Sequence, residues 1–419
     1  MRRITKALIA VGIAGAAVWY GLSGTAVDSP AAMIRAITSK KASNLPDTPE
    51  EWKGRIDYVD LDGRLAAMAS RPEMAGLAVA IVENGELRFV GTYGVLDRTD
   101  GSPVTPASIF RWASVSKTVT GALAANLASE AAIDLEQPVS TWKSSLRLPG
   151  GAETRLTFAQ LLAQQTGLTK NAYDEKLEEG ENPADLRARL FAAPLQCLPG
   201  TCHTYQNIAF DDASEILAQA AKRPFADAVS ERLFLPLGMT SATYGMAGLT
   251  GAKQWARPHN GAQVRNLRDA YWRVPAAAGV NSNIVDFARW MQAMMGQQAK
   301  VLPESTLRIT HMPRVATQNL YGGALRQANS DASYGLGWRN FTYDGHRLAG
   351  HSGAVDGYRA TMIFEPATRT GAVVMWNSNW GRPFRIPFAV MDSYYGKADS
   401  RWLDFSDLPP LASTPDAEQ

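Results

Sequence analysis

From Val115 to Ala132 the chain is apolar on nearly every side of a predicted helix. A helix without a polar face belongs inside a protein, enclosed by other elements. The 419 residues suffice for that enclosure; they are long for one domain and suit one core with an inserted subdomain. Ser114-Val115-Ser116-Lys117 stands at the start of this helix. Residues three apart share a helix face, so the Ser114 hydroxyl and the Lys117 amine can meet. A free serine is a weak nucleophile and needs a base. A lysine in apolar surroundings has its charged form disfavoured and can serve as one. The helix N-terminus also favours negative charge developing near Ser114.

Strand patterns lie on both sides of this helical middle. Leu77–Val82 and Leu87–Tyr93 flank Asn84-Gly85, the dipeptide of a tight β-hairpin. A helix is expected over about 57–71, ended by Pro72. Between 114 and 310 the chain reads mostly helical, with stretches near 158–163, 183–192, 208–222 and 283–295. Asn182-Pro183 and Ser282-Asn283 carry helix-start chemistry. Strand character returns in 334–341, 347–351, 358–364 and 371–376. The expected class is α+β: an antiparallel sheet built from both chain ends with flanking helices, plus an inserted, mostly helical subdomain.

The N-terminus differs in kind. Arg2, Arg3 and Lys6 precede an apolar run from Ala7 to Leu22, which fits an export signal. Gly24 and Ala26 suit cleavage after Ala26, whereas Trp19 and Tyr20 suit a retained membrane anchor. Both alternatives export the remainder. The expected organisation is therefore a signal or anchor at 1–26, a linker at 27–55, a catalytic domain at 56–400 and a tail at 401–419. Cys197 and Cys202 are the two cysteines. In an oxidising compartment they could close a small disulfide loop; the alternative is two reduced, half-buried thiols. No second Cys/His pair is spaced to complete a zinc site, so no metal or organic cofactor is expected. A formal net charge of +2, with no long run of like charges, gives no footprint for nucleic acid.

Two further segments carry chemistry. In Tyr205-Gln206-Asn207, the tyrosine can relay a proton to a leaving group. The Asn207 amide can serve both a substrate carbonyl and Lys117. In Gly350-His351-Ser352-Gly353-Ala354, at the end of an expected strand, the small residues let a substrate approach closely, and an edge strand can lend N–H groups to an oxyanion. The same pentapeptide departs from a Gly-x-Ser-x-Gly elbow at its last position, and no histidine follows it. Trp338, Tyr358, Trp376 and Trp380 are candidates for an acyl pocket, with core packing the alternative.

Taken in order, these segments resemble the serine β-lactamase/penicillin-binding superfamily, in its class C-like branch of esterases, D-stereospecific peptidases and β-lactamases. Phe110–Ala113, Leu161-Leu162 with Thr166–Leu168, Leu235–Met239 and Tyr334–Trp338 match as well. The resemblance implies a β-lactamase/transpeptidase-like fold and an acyl-enzyme formed on Ser114. Lys117 and Tyr205 would handle the proton. Asn207 would position substrate, the N–H groups of Ser114 and Ala354 would hold the oxyanion, and His351, Ser352 and Gly353 would line the site.

Three departures from the family pattern matter. His351 stands where a lysine is common and is only partly charged near neutral pH. Gln164 and Gln165 stand where a histidine is usual, and Val280 follows Ala278-Gly279 where a second glycine is common. The first departure moves the expectation toward a small-molecule ester, or a small amide or peptide, as substrate. The alternatives are a β-lactamase or D-alanyl carboxypeptidase and, in another class, a non-catalytic penicillin-sensing or cell-wall-binding module.

Overall fold

A computed structural model describes residues 45–46, 48–318, 321, 323–397 and 401–404. The expected signal or anchor at 1–26, most of the 27–55 linker and most of the 401–419 tail lie outside the described residues. Among the described residues no helix is long and apolar enough to cross a membrane.

Asn84 and Gly85 both take positive φ, as the tight turn requires, and join β1 (Gly76–Glu83) to β2 (Glu86–Gly94). Three short strands follow in the middle of the chain: β3 (Phe110–Arg111), β4 (Thr243–Tyr244) and, after a hairpin of β5 (His259–Asn260) and β6 (Gln263–Val264), β7 (Val280–Ser282). The late strands are β8 (Val315–Ala316), β9 (Asn329–Tyr334), β10 (Arg339–Tyr343), β11 (His346–Val355), β12 (Tyr358–Glu365) and β13 (Thr370–Trp376). Eight strands form one antiparallel sheet in the order β2-β1-β13-β12-β11-β10-β9-β8. The two ends of the chain meet where β1 pairs with β13, Leu77 opposite Trp376 and Val82 opposite Gly371. The α+β expectation therefore stands, with the mostly helical insertion between β2 and β8.

Every residue of β1 and β13 is buried, because helices cover both faces of the sheet. Helices Tyr58–Ala69 and Ile386–Tyr394 share one core with Leu77, Val79, Val374 and Trp376. Helix Ile284–Gln292 and the turn Ala113–Val115 pack on the sheet as well. The apolar helix of the sequence is Ser116–Ser129, preceded by a 3-10 turn at Ala113–Val115 that carries Ser114. Ser116 through Ala125 are all buried, against helices Asp212–Ala221, Pro275–Ala278 and Glu304–His311.

Two sequence expectations need correction. The single strand expected over 334–341 is two strands, β9 and β10, joined by a turn at Gly335–Trp338. This turn presses on the central helix: a Cβ at Gly121 would lie 1.7 Å from the Leu336 carbonyl oxygen, and one at Gly337 would lie 2.2 Å from that of Lys117. Only chain lacking side chains can approach so closely. The segment 350–354 lies inside β11, not at a strand end. Of the four aromatic candidates, Trp338, Tyr358 and Trp376 take the core-packing alternative, at most 1% exposed.

Candidate active site

Strands β3, β7 and β4 form a separate three-stranded sheet that anchors the turn carrying Ser114. Trp112 donates its backbone N–H to Val280 O (3.0 Å) and its indole N–H to Ser282 Oγ (2.8 Å). Ala113 then takes φ +48°, a left-handed conformation that costs on the order of 1–3 kcal/mol without glycine. Ser116 holds the strained turn, donating to Ala113 O (2.6 Å) and accepting from Val280 N (3.0 Å). The second serine of the tetrapeptide is thus structural, and Ser114 is the one that lines the cleft.

Lys117 is fully buried one turn further on. Its Nζ lies 2.7 Å from Asn207 Oδ1, 3.0 Å from Ala277 O and 3.3 Å from Ser114 Oγ. Two acceptors use two N–H bonds and leave the third direction on the serine. That arrangement admits both an amine lone pair facing a hydroxyl and an ammonium donating to an alkoxide. Tyr205 presents its ring 4.8 Å from Nζ, while its hydroxyl makes no hydrogen bond among the described residues. Tyr205 and Asn207 also line the cleft, whose volume is about 840 Å³.

The glutamines at the departure from the family pattern hold this loop. Gln164, fully buried, donates its amide to Gln206 O (3.0 Å) and accepts from Gln206 N (2.7 Å). Gln165 bonds Gly200 O through its side chain (2.9 Å) and accepts from Gly200 N through its backbone (2.7 Å). Cys197 and Cys202 form a disulfide just before Tyr205, with Cα atoms 6.4 Å apart.

The third wall is β11. Strand β10 pairs with it only as far as Gly350, so His351–Val355 keep a free edge on that side while pairing with β12 on the other. A Cβ at Gly353 would lie 2.2 Å from Trp112 O and 2.8 Å from Ser114 N, so the edge runs directly against the turn that carries Ser114. Ser352 bonds Thr361 across β12 (2.9 Å), and Ser352 and Ala354 both line the cleft. His351 is 2% exposed, 2.8 Å from the Tyr334 hydroxyl through Nε2 and 2.8 Å from Ser352 O through Nδ1. Burial first, then the charges of Arg339 and Lys117, hold its pKa well below the ordinary histidine value. The imidazole is therefore neutral rather than partly charged.

Sequence reasoning missed Asp174. Its Oδ2 accepts from Asn207 Nδ2 at 2.7 Å, which fixes the amide so that Oδ1 faces Lys117. Burial pushes its carboxyl up to about 6, against the lowering effects of Asn207, Lys117 and Tyr271. The residue sits in a loop-and-helix region with no motif around it, so only a tertiary contact identifies it. Arg339, at the start of β10, lines the cleft and was likewise not singled out. Among the described residues no three His, Cys, Asp or Glu side chains converge to hold a metal.

The family model described as Beta-lactamase matches residues 61–390. "Protein flp" of Staphylococcus aureus (strain COL) is 24% identical over 314 residues, 73% of this chain and 60% of its own length. "Esterase EstB" of Burkholderia gladioli is 27% identical over 233 residues, 51% of this chain and 58% of its own length. The chain thus spans about three fifths of the curated relatives it matches. Among solved structures, an octameric penicillin-binding protein homologue from Pyrococcus abyssi superposes with TM-score 0.72 at 19% identity, covering 82% of this chain and 78% of its own. A D-stereospecific amidohydrolase from Streptomyces sp. gives 0.64 at 20% identity, covering 82% of this chain and 100% of its own. The structural likenesses establish the fold; the family match, extending over most of the chain, establishes descent. The chain belongs to the Beta-lactamase family.

Proposed function

We propose that this protein is an exported serine hydrolase that cleaves a carboxylic ester or a small amide or peptide through an acyl-serine intermediate. The carrying observation is the buried Lys117 amine 3.3 Å from Ser114 Oγ, held there by Asn207 and Ala277. Ser114 Oγ attacks the carbonyl carbon and its proton passes to Lys117 or, through it, toward Tyr205. The carbonyl oxygen becomes an oxyanion at the free edge of β11, where the N–H groups of Ser114 and Ala354 would receive it. Collapse expels the leaving group, which takes the proton from the Tyr205 side. Water then attacks the acyl-serine by the reverse sequence and Ser114 is regenerated.

The ester-or-amide reading draws on His351, which is neutral and gives position 351 no fixed charge. It also draws on relatives whose names read esterase and D-stereospecific amidohydrolase. Export draws on the basic, then apolar N-terminus and on the Cys197–Cys202 disulfide, a bond that persists in oxidising compartments. Whether residues 1–26 are removed or retained as an anchor is decided by the N-terminal sequence of the mature protein.

The test is a panel of nitrophenyl esters, D-amino-acid amides and a chromogenic cephalosporin, run on wild type and Ser114→Ala. Turnover of esters or amides, lost by at least about a thousandfold in Ser114→Ala, is expected. Full hydrolysis by that variant would sink the mechanism. Cephalosporin turnover rivalling the esters would replace the reading with a β-lactamase. A fluorophosphonate or penicillin adduct that never deacylates would replace it with a sensor.

A further inference from the structure

We propose that Arg111 and a small cavity beside the Ser114 cleft form a halide-binding site, taken by chloride.

Sheet register brings Arg111 there. It sits in β3 opposite Asn281 of β7. Asn281 Oδ1 accepts the Trp272 indole N–H (3.2 Å), and the indole lies against the guanidinium, with Cζ 3.6 Å from the ring centroid. Stacking attracts the charge but satisfies no N–H, because the guanidinium donors lie in its own plane.

Those donors lack partners. Arg111 is 3% exposed, and its Nε and Nη2 make no hydrogen bond among the described residues. Their N–H bonds point the same way along one edge of the guanidinium, a fork that holds an anion through two parallel hydrogen bonds. No carboxylate pairs with Arg111 among the described residues, whereas Arg187, 4% exposed, meets Asp211 at 2.6 Å and Glu215 at 2.5 Å. Burial lowers the Arg111 pKa to about 9, against the opposing effects of Tyr358, Tyr271 and Asp269. Leaving a charge and two donors buried in this way is costly.

The cavity offers the room. Its volume is about 50 Å³, and Arg111, Arg268, Tyr271, Tyr358, Glu178 and Asp356 are among the residues lining it. Both carboxylates are engaged elsewhere. Glu178 accepts from the Tyr271 hydroxyl (2.8 Å), and Asp356 accepts from Asn379 Nδ2 (3.1 Å) and faces Arg265 at 3.6 Å. Arg111, Arg268 and Arg265 thus stand against Glu178 and Asp356, which leaves one positive charge for a monovalent anion. Water would satisfy the two donors and leave that charge uncancelled; a halide does both. A water molecule's share of the liquid is about 30 Å³, so a cavity of about 50 Å³ admits a monatomic ion and no substrate-sized group.

The location gives the ion a consequence. Tyr271 and Val355 line both this cavity and the Ser114 cleft. The Tyr271 hydroxyl also reaches Asp174 (3.4 Å), behind Asn207, and Val355 follows Ala354 on β11. Arg111 itself leads through Trp112 and Ala113 into Ser114. A bound halide ties these segments together and stabilises the fold in proportion to its occupancy.

The experiment heats the full chain in sodium chloride and in sodium isethionate, whose anion is too large for the cavity, at equal ionic strength. Chloride is expected to raise the unfolding midpoint by about 2 °C or more near saturation, and bromide to act alike. Arg111→Met should lose this difference. Bromide diffused into crystals of the wild type should give an anomalous peak within hydrogen-bonding reach of Arg111 Nε and Nη2. Equal midpoints in the two salts, a difference that survives in Arg111→Met, or bromide peaks only at other places would overturn the proposal. If Arg111→Met does not fold, the bromide map of the wild type decides. No readout involves turnover, so failure here leaves the acyl-serine reading untouched, and failure of that reading leaves the halide site untouched.

Discussion

One carbon added at position 353 would lie 2.2 Å from the Trp112 carbonyl oxygen and 2.8 Å from Ser114 N. Gly353→Ala should therefore push β11 away from Ser114. Expected are a loss of about 1–3 kcal/mol in denaturant unfolding, the scale of an overpacked site, and a larger fractional loss of kcat/KM. Asp174 gives a second prediction. Its carboxyl is raised to about 6 by burial, so on lowering pH it takes up a proton near 6. The pH profile of kcat/KM should show an ionisation there that disappears in Asp174→Asn; an unchanged acid limb would remove Asp174 from the site. Because the folded state holds this proton more tightly than the unfolded chain, Asp174 favours folding most when protonated. Its contribution falls as pH rises from about 4 through about 6. The meeting of Ser114, Lys117, Tyr205 and Asn207 was legible because spacing and order encode it. Asp174 and Arg339 were not, because each reaches the cleft through tertiary packing that no local pattern records.

Among the elements, the loop around Tyr205 is tied down from several sides. Gln164, Gln165 and the Cys197–Cys202 disulfide hold it at three places. Replacing both cysteines by serine should cost about 2 kcal/mol, the expected scale for a short loop, read as a lower denaturation midpoint. A second buttress lies deeper. Asp211 binds Arg187 (2.6 Å) and accepts from Ala276 N (2.9 Å), next to the Ala277 carbonyl that receives Lys117. Arg187→Met leaves buried carboxylates unpaired and should cost about 3–5 kcal/mol by urea unfolding. The elements themselves were unevenly readable. The Asn84-Gly85 hairpin was plain, because its turn residues are diagnostic. The β9–β10 break was hidden, because the apolar run continues through a turn that packs instead of meeting water. Helix Ile386–Tyr394 went unread although Pro387 sits in its first turn, a start signal masked by an all-round apolar sequence.

For the whole molecule, the pairing of β1 with β13 makes folding depend on contacts some 290 residues apart in sequence, a topology that folds slowly. A fragment ending at residue 310 lacks β8 through β13 and should not fold alone; a cooperative thermal transition by circular dichroism would contradict this. The same closure orders events in time. The ribosome finishes Ser114 and Lys117 early and the β11 edge more than two hundred residues later. On the acyl-serine proposal, a nascent chain therefore owns its nucleophile long before it owns an oxyanion cradle. Chains stalled at residue 340 should resist a fluorophosphonate that labels the finished protein, so that reactivity itself reports completed synthesis.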